Sequence, residues 1–174
     1  MKEAETPCRK SIELNPSLFN SNFLLGSILI GQKKLQEAEQ PLRKTIELNP
    51  DHFHAHLNLG AVLKDLGQLQ EAELSTRKSI ELKPYDSMAH SNLGTILMKD
   101  LGKLKEAEIS TRKAIELNPN FANAHLNLGN SLRDLGKLKE AELSYSKAIE
   151  INPNFTMAHS NLGSILKDLG NLKE

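Results

Sequence analysis

The sequence has one cysteine, no tryptophan, 4% aromatic residues and no net charge across its 174 positions. Each scarcity excludes something. A lone Cys8 can neither close an internal disulfide nor supply a thiolate pair for a metal, so it reads as a small buried apolar residue. Lysine plus arginine equals aspartate plus glutamate at 22 each. No net field therefore draws the chain to nucleic acid or to an anionic lipid surface. No apolar run approaches the ~20 residues that cross a bilayer, and the opening "MKEAETPCRK" lacks the apolar centre of a secretory leader. Neither nucleic acid nor membrane is expected as a partner; nothing names a compartment, and the cytosol is favoured.

Chemistry is scarce as well. Gly129 and Gly136-Lys137 are separated by six residues where a phosphate loop has four, and they lie in a helical pattern. There is no His-Glu-x-x-His, no Cys-x-x-Cys and no nucleophile elbow. No catalytic residue, cofactor or metal is expected, and the chain does not read as an enzyme.

What the chain does have is a period. "SIELNP", "TIELNP", "SIELKP", "AIELNP" and "AIEINP" end at Pro16, Pro50, Pro84, Pro119 and Pro153, in steps of 34, 34, 35 and 34 residues. Gly26, Gly60, Gly94, Gly129 and Gly163 each follow a proline by ten residues. Between proline and the next turn, Ala55, Leu59, Val62, Leu63 and Leu66 form one apolar helical stripe. After "DLG", Leu69, Ala72, Thr76, Ser79 and Ile80 form another. Each unit is therefore a pair of helices. The spacing predicts first helices near 18–31, 53–66, 87–101, 121–135 and 156–169, and second helices near 2–14, 35–48, 69–82, 104–117 and 138–151.

Gly67, Gly102, Gly136 and Gly170 stand where first helices should stop, with Lys33 at that place in the first unit. Ser17, Asp51, Asn120 and Asn154 follow the prolines as N-cap candidates. The recurring Leu-Gly glycine, costing roughly 1 kcal/mol in a helix, needs close approach of a partner backbone, for which Ala38, Ala72, Ala107 and Ala141 are the small residues available. One unit carries an extra residue between Gly94 and Gly102, which predicts a π-bulge or one more helical residue near Met98 or Lys99.

The 34-residue period, Leu-Gly in the first helix, alanine in the second and proline at the end resemble the tetratricopeptide repeat. The resemblance implies an all-α, right-handed superhelical solenoid of antiparallel helix pairs, its concave face lined by first helices. Residues 1–174 would form a single array, with a half repeat at 1–18, full repeats at 19–52, 53–86, 87–121 and 122–155, and a second half repeat at 156–174. One departure is that Asn22, His56, His90, His125 and His159 stand where the family has a large aromatic. Equivalent histidines on helices ~8–10 Å apart cannot share one zinc ion with ligands ~2 Å from it, so these imidazoles read as packing between units. Glu5/Arg9, Glu39/Arg43, Glu73/Arg77 and Glu108/Arg112 are i,i+4 pairs that read as a solvated outer face.

Asn58, Asn92, Asn127 and Asn161 recur inside "AHLNLG" and "AHSNLG". On a helix they sit at the edge of the buried stripe, sharing that edge with residues such as Asn123 and Asn130. A ladder of amides can match the N–H and C=O of an extended peptide. It is similar to the asparagine ladder of the tetratricopeptide superhelix in O-linked N-acetylglucosamine transferase, with Leu24 breaking it in the first unit. Lys64, Arg133 and Lys167, each followed by aspartate, would add mixed charge. Positions comparable to the carboxylate clamps of other members hold Met88, Ser91, Leu126 and Met157, which argues against a chaperone-tail clamp. The competing expectation is that the asparagines bond across to the neighbouring unit's backbone.

The reading is therefore a non-enzymatic scaffold that holds a protein or peptide segment in its groove. An arm of a larger enzyme, such as a glycosyltransferase, is the alternative. A further one is head-to-tail self-association, joining Leu162, Ile165, Leu166 and Leu169 at one end to Ala4, Cys8 and Ile12 at the other.

Overall fold

The computed structural model describes residues 2–99 and 101–171. Among these the regular elements are ten α-helices and one 3₁₀ turn, with no strand. They are α1 (Lys2–Leu14), α2 (Phe19–Gly31), α3 (Leu35–Leu48), α4 (Phe53–Asp65), α5 (Leu69–Leu82), α6 (Ser87–Leu97), α7 (Leu104–Leu117), α8 (Ala122–Asp134), α9 (Leu138–Ile151) and α10 (Thr156–Asn171). The chain divides into two compact units, Met1–Pro84 and Tyr85–Glu174. In the first, α2 pairs with α3 and α4 with α5, and α3 packs on α4; in the second, α6 pairs with α7 and α8 with α9, and α10 packs on α9.

The Leu-Gly glycines of α2, α4, α6 and α8 are holes filled from the partner helix. A Cβ on Gly26 would lie 2.8 Å from Leu42 Cγ, and one on Gly129 would lie 2.6 Å from Cδ1 of Tyr145. On Gly60 and Gly94 it would strike the hydroxyls of Thr76 and Thr111. The filling side chain is thus the residue four beyond the expected alanine. The alanine contributes its carbonyl instead, at 3.5 Å from the Gly26 position and 3.2 Å from Gly60 and Gly94. Ala38, Ala72, Ala107 and Ala141 are all fully buried.

Turns within the hairpins follow the expected chemistry in part. Gly67 and Gly136 take φ of +81° and +75°, and Lys33 takes +61° at the same place. The N–H groups of Lys34, Gln68 and Lys137 close these ends on the carbonyls of Leu29, Leu63 and Leu132 at 2.8–2.9 Å. The extra residue of the third hairpin makes no π-bulge. Instead α6 stops at Leu97, with 11 residues where α4 and α8 have 13, and a 3₁₀ turn over Leu101–Lys103 takes up the slack. Gly102 lies in that turn, and α10 runs through Gly170 to Asn171, so neither stops a helix as expected.

Ser17, Asp51, Asn120 and Asn154 are not the N-caps; the helices start two residues later. The N–H groups of Ser17, Asn120 and Asn154 are instead held by Oδ1 of Asn15, Asn118 and Asn152, at 3.1, 3.2 and 3.3 Å. In these three Asn-Pro pairs the asparagine therefore forms the turn. His52 and Asp86 cap α4 and α6, accepting from Ala55 N at 3.1 Å and Ala89 N at 2.8 Å.

The histidines that replace the family aromatic have a definite task. Nε2 of His56, His125 and His159 donates to the carbonyls of Pro50, Pro119 and Pro153 at 2.8, 2.9 and 2.8 Å. Asn22 reaches Pro16 in the same way at 3.4 Å. Each satisfies a carbonyl at a junction between hairpins that would otherwise need water.

The Glu/Arg pairs also do more than support single helices. Arg9 bonds both Glu5 (2.9 Å) and Glu37 (3.2 Å), and Arg43 bonds Glu39 (2.8 Å) and Glu71 (2.5 Å). In the second unit Arg112 joins Glu108 (2.9 Å) to Glu140 (3.0 Å), while Lys137 returns to Glu108 at 2.9 Å. Burial works against charge on Glu108, but Lys137 and Arg112 prevail and hold its carboxyl below the ordinary value. These half-exposed bonds are worth at most about 1 kcal/mol each; their effect is to clip successive second helices at a fixed register.

Candidate functional site

In the second unit the first helices α6, α8 and α10 are neighbours. Because side chains three and four apart share a helix edge, α8 presents Asn123, Asn127, Asn130 and Asp134 along one line. Asn123 is exposed and Asn127 and Asn130 are half-buried. Nδ2 of Asn127 donates to Ser91 Oγ at 3.2 Å and to Thr95 Oγ1 at 3.0 Å, both on α6. Nδ2 of Asn161, on α10, donates to Asn130 Oδ1 at 2.9 Å. That same oxygen accepts the hydroxyl of Tyr145 from α9, also at 2.9 Å. Tyr145 is fully buried, and burial pushes its phenol above the ordinary value.

Asn127 and Asn161 thus bond across hairpins, but to side chains, where the competing expectation had backbone as the partner. Met88 and Met157 stand one turn before Asn92 on α6 and Asn161 on α10, at 52% and 59% exposure. Arg133 grips Asp134 through Nε (3.0 Å) and Nη2 (2.9 Å), so its charge is neutralised locally. Lys167 and Asp168 are exposed on α10.

The first unit is different in character. Asn58 is half-buried on α4, and it makes no side-chain hydrogen bond among the described residues; nor does Asn92 of the second unit. Lys64 pairs with Asp65 at 3.2 Å. In place of further amides there is a ring cluster: Phe23 lies 4.6 Å from His52 and 6.4 Å from His54, centroid to centroid, and Phe19 lies 5.9 Å from His52. Leu24 is 50% exposed nearby in sequence. Spacing gave no sign of this cluster, because it joins residues 19–23 to 52–54 across two helices.

The residues expected at self-associating ends are unevenly available. Cys8 and Ile165 are covered within their own units, at 7% and 0% exposure, so neither can contribute a contact surface. Ala4 and Leu166 are exposed; Ile12, Leu162 and Leu169 are half-buried. A Cβ on Gly163 would meet nothing within 4 Å, unlike its counterparts in α2, α4, α6 and α8. Among the described residues, no three His, Cys, Asp or Glu side chains converge as metal ligands, and no helix is long and apolar enough to cross a membrane.

Three tetratricopeptide repeat family models match the sequence: one over residues 19–52 and 89–121, one over 42–73 and one over 122–155. The chain belongs to the tetratricopeptide repeat family. A search of curated proteins gives no match. Among solved structures, the chain resembles YrrB, a tetratricopeptide protein with an unusual peptide-binding site, at 26% identity and a TM-score of 0.73, over 94% of this chain and 84% of that one. It also resembles MamA, at 25% identity and a TM-score of 0.75, over 87% and 82% of the two chains. A third neighbour is the first tetratricopeptide module of Spaghetti (RPAP3) bound to the HSP90 peptide SRMEEVD, at 25% identity and a TM-score of 0.65, over 68% and 93%. The tetratricopeptide assignment accounts for the helix pairs and the glycine holes.

Proposed function

We propose that this tetratricopeptide chain is a protein-interaction scaffold that takes an extended peptide segment along its first helices. The observation that carries the reading is the row of half-buried amides on α8 and α10, with exposed Met88 and Met157 on the first helices α6 and α10. Amides satisfy a peptide backbone, and flexible thioethers adapt to varied side chains. The peptide-binding neighbours YrrB and the RPAP3 module support it. Local pairing of Lys64 with Asp65 and Arg133 with Asp134 speaks for a ligand recognised by its backbone rather than by a carboxylate clamp.

The test is selection of binders from a random peptide library, followed by Asn92→Ala and Asn123→Ala. Neither side chain is spent on an intrachain bond, so the expected outcome is weaker peptide binding at an unchanged melting temperature. Failure to select any peptide, or undiminished binding by both variants, rejects the proposal.

A second reading, self-association, is favoured by the open position beside Gly163 and by Leu166 at 49% exposure. Every other helix of this type receives a second helix there, and α1 of another copy is such a helix. Sedimentation over a concentration series should show growing mass, abolished by Leu166→Glu; a constant monomer mass rejects it.

A further inference from the structure

An asparagine amide can be turned over, exchanging its oxygen for its nitrogen, and a ladder of free amides would present no fixed pattern to a ligand. The second unit is not such a ladder. Thr95 spends its hydroxyl proton on the carbonyl of Ser91 at 3.0 Å. Its oxygen can then only accept, so the Asn127 group facing it at 3.0 Å is the NH₂. The second hydrogen of that NH₂ goes to Ser91 Oγ. Asn127 is left with Oδ1 as its unused atom.

The next amides are set from below. Tyr145 has no exposed surface, so its O–H must find an acceptor inside the protein, and Asn130 Oδ1 is the one it reaches. Turning Asn130 over would face an NH₂ to the phenol and strand that buried proton, a costly exchange. With Oδ1 directed at Tyr145, Asn161 must also offer its nitrogen to the same oxygen, as observed at 2.9 Å. Asn130 keeps both N–H donors, and Asn161 keeps its Oδ1. The Tyr145 ring can pass between the helices to make this bond only because Gly129 has no side chain.

We infer that the groove of the second unit has a fixed polarity, acceptor at Asn127, donor at Asn130 and acceptor at Asn161, and that Tyr145 is the positioning residue that sets the last two. This rests on the peptide-groove reading and sharpens it. Helices ~8–10 Å apart, read against ~3.3 Å per residue of extended chain, place the two acceptors about two to three ligand residues apart. The ligand is then an extended segment with free backbone N–H groups at two positions of that separation and a C=O between them. Proline or N-methylation is rejected at both positions, whatever the side chains.

The probe is a peptide selected from the random library on the whole chain, resynthesised as a set with one N-methyl group at each position in turn. Two positions, two or three residues apart, should each lose about tenfold in affinity, the worth of one hydrogen bond. In Tyr145→Phe, which removes only the hydroxyl, sensitivity should vanish at one of the two positions and persist at the other. Uniform sensitivity, none, or a Tyr145→Phe profile identical to wild type overturns the assignment; a general loss of affinity with both sensitive positions retained also overturns it. A measurement on the unliganded protein separates this from the groove reading. Side-chain ¹⁵N signals should show slow hydrogen exchange for the NH₂ of Asn127, with Asn130 exchanging like a free amide. If no peptide is selected but these rates hold, the polarity stands and the groove reading falls; the reverse order of rates sinks the polarity itself.

Discussion

Gly129→Ala and Gly163→Ala place the same methyl group at the same repeat position in two different surroundings. At 129 the new carbon would lie 2.6 Å from Cδ1 and 2.9 Å from Cζ of a fully buried ring, so Tyr145 must retreat by about 1 Å, the shortfall from ordinary contact. Overpacking of this kind costs about 1–3 kcal/mol. Displacing the ring also breaks the 2.9 Å bond to Asn130 and strands a phenol, adding about 1–3 kcal/mol. The gain in helix propensity returns only about 1 kcal/mol. The net loss is about 3 kcal/mol, near 10 °C in melting temperature for a chain of this size. At 163 nothing lies within 4 Å, so only the propensity gain remains and melting should rise by about 2–4 °C. Tyrosine fluorescence serves as the assay: the chain has no tryptophan, and its two tyrosines, Tyr85 and Tyr145, both fall in the second unit. A Gly129→Ala variant that melts at or above wild type would refute the argument that this glycine exists to admit the ring.

Lys33 holds φ of +61°, where its counterparts are glycines; Lys33→Gly should therefore raise the thermal midpoint by relieving a left-handed penalty of about 1 kcal/mol, and a fall would show the turn is not strained. Arg112→Ala should cost at most about 1 kcal/mol in low salt and nothing measurable near ~1 M, checked by urea titration at both ionic strengths. His52 is held below the ordinary histidine value of 6.5, first by burial and further by His54 and His56, against its own backbone hydrogen bond. As pH falls through 6.5 the unfolded chain takes up the proton first, so stability should drop from there down to the depressed folded value. Melts at pH 7.5 and 5.5 should show this drop reduced in His52→Asp, which keeps an Asp86-like cap; equal drops would argue against it.

The second helices were legible to the residue, since α3, α5, α7 and α9 each open on Leu after a turn and close on Leu or Ile before Asn-Pro or Lys-Pro. First helices were legible except α6, where one extra residue could be placed in the helix or in the turn; periodicity cannot choose, and the turn took it. The N-caps were misplaced because Asn15, Asn118 and Asn152 form turns of their own, which delays each helix by two residues. The edge position of the asparagines followed from spacing. Their partners did not, since Ser91, Thr95 and Tyr145 lie 32–36 residues away for Asn127 and on another helix for Asn130. The clasp from His56 to Pro50 was hidden for a different reason: a histidine in an aromatic's place looks like packing until the carbonyl six residues back is seen beside it.

That clasp also decides where the chain can change in length. A donor at Asn22, His56, His125 or His159 reaches its carbonyl only if it stands six positions after Pro16, Pro50, Pro119 or Pro153, so an inserted residue there would unlatch the joint. The stretch between Gly94 and Gly102, inside a hairpin, has already absorbed one. Growth and loss by single residues are thereby channelled into the loops within hairpins, while the seams between them stay in step.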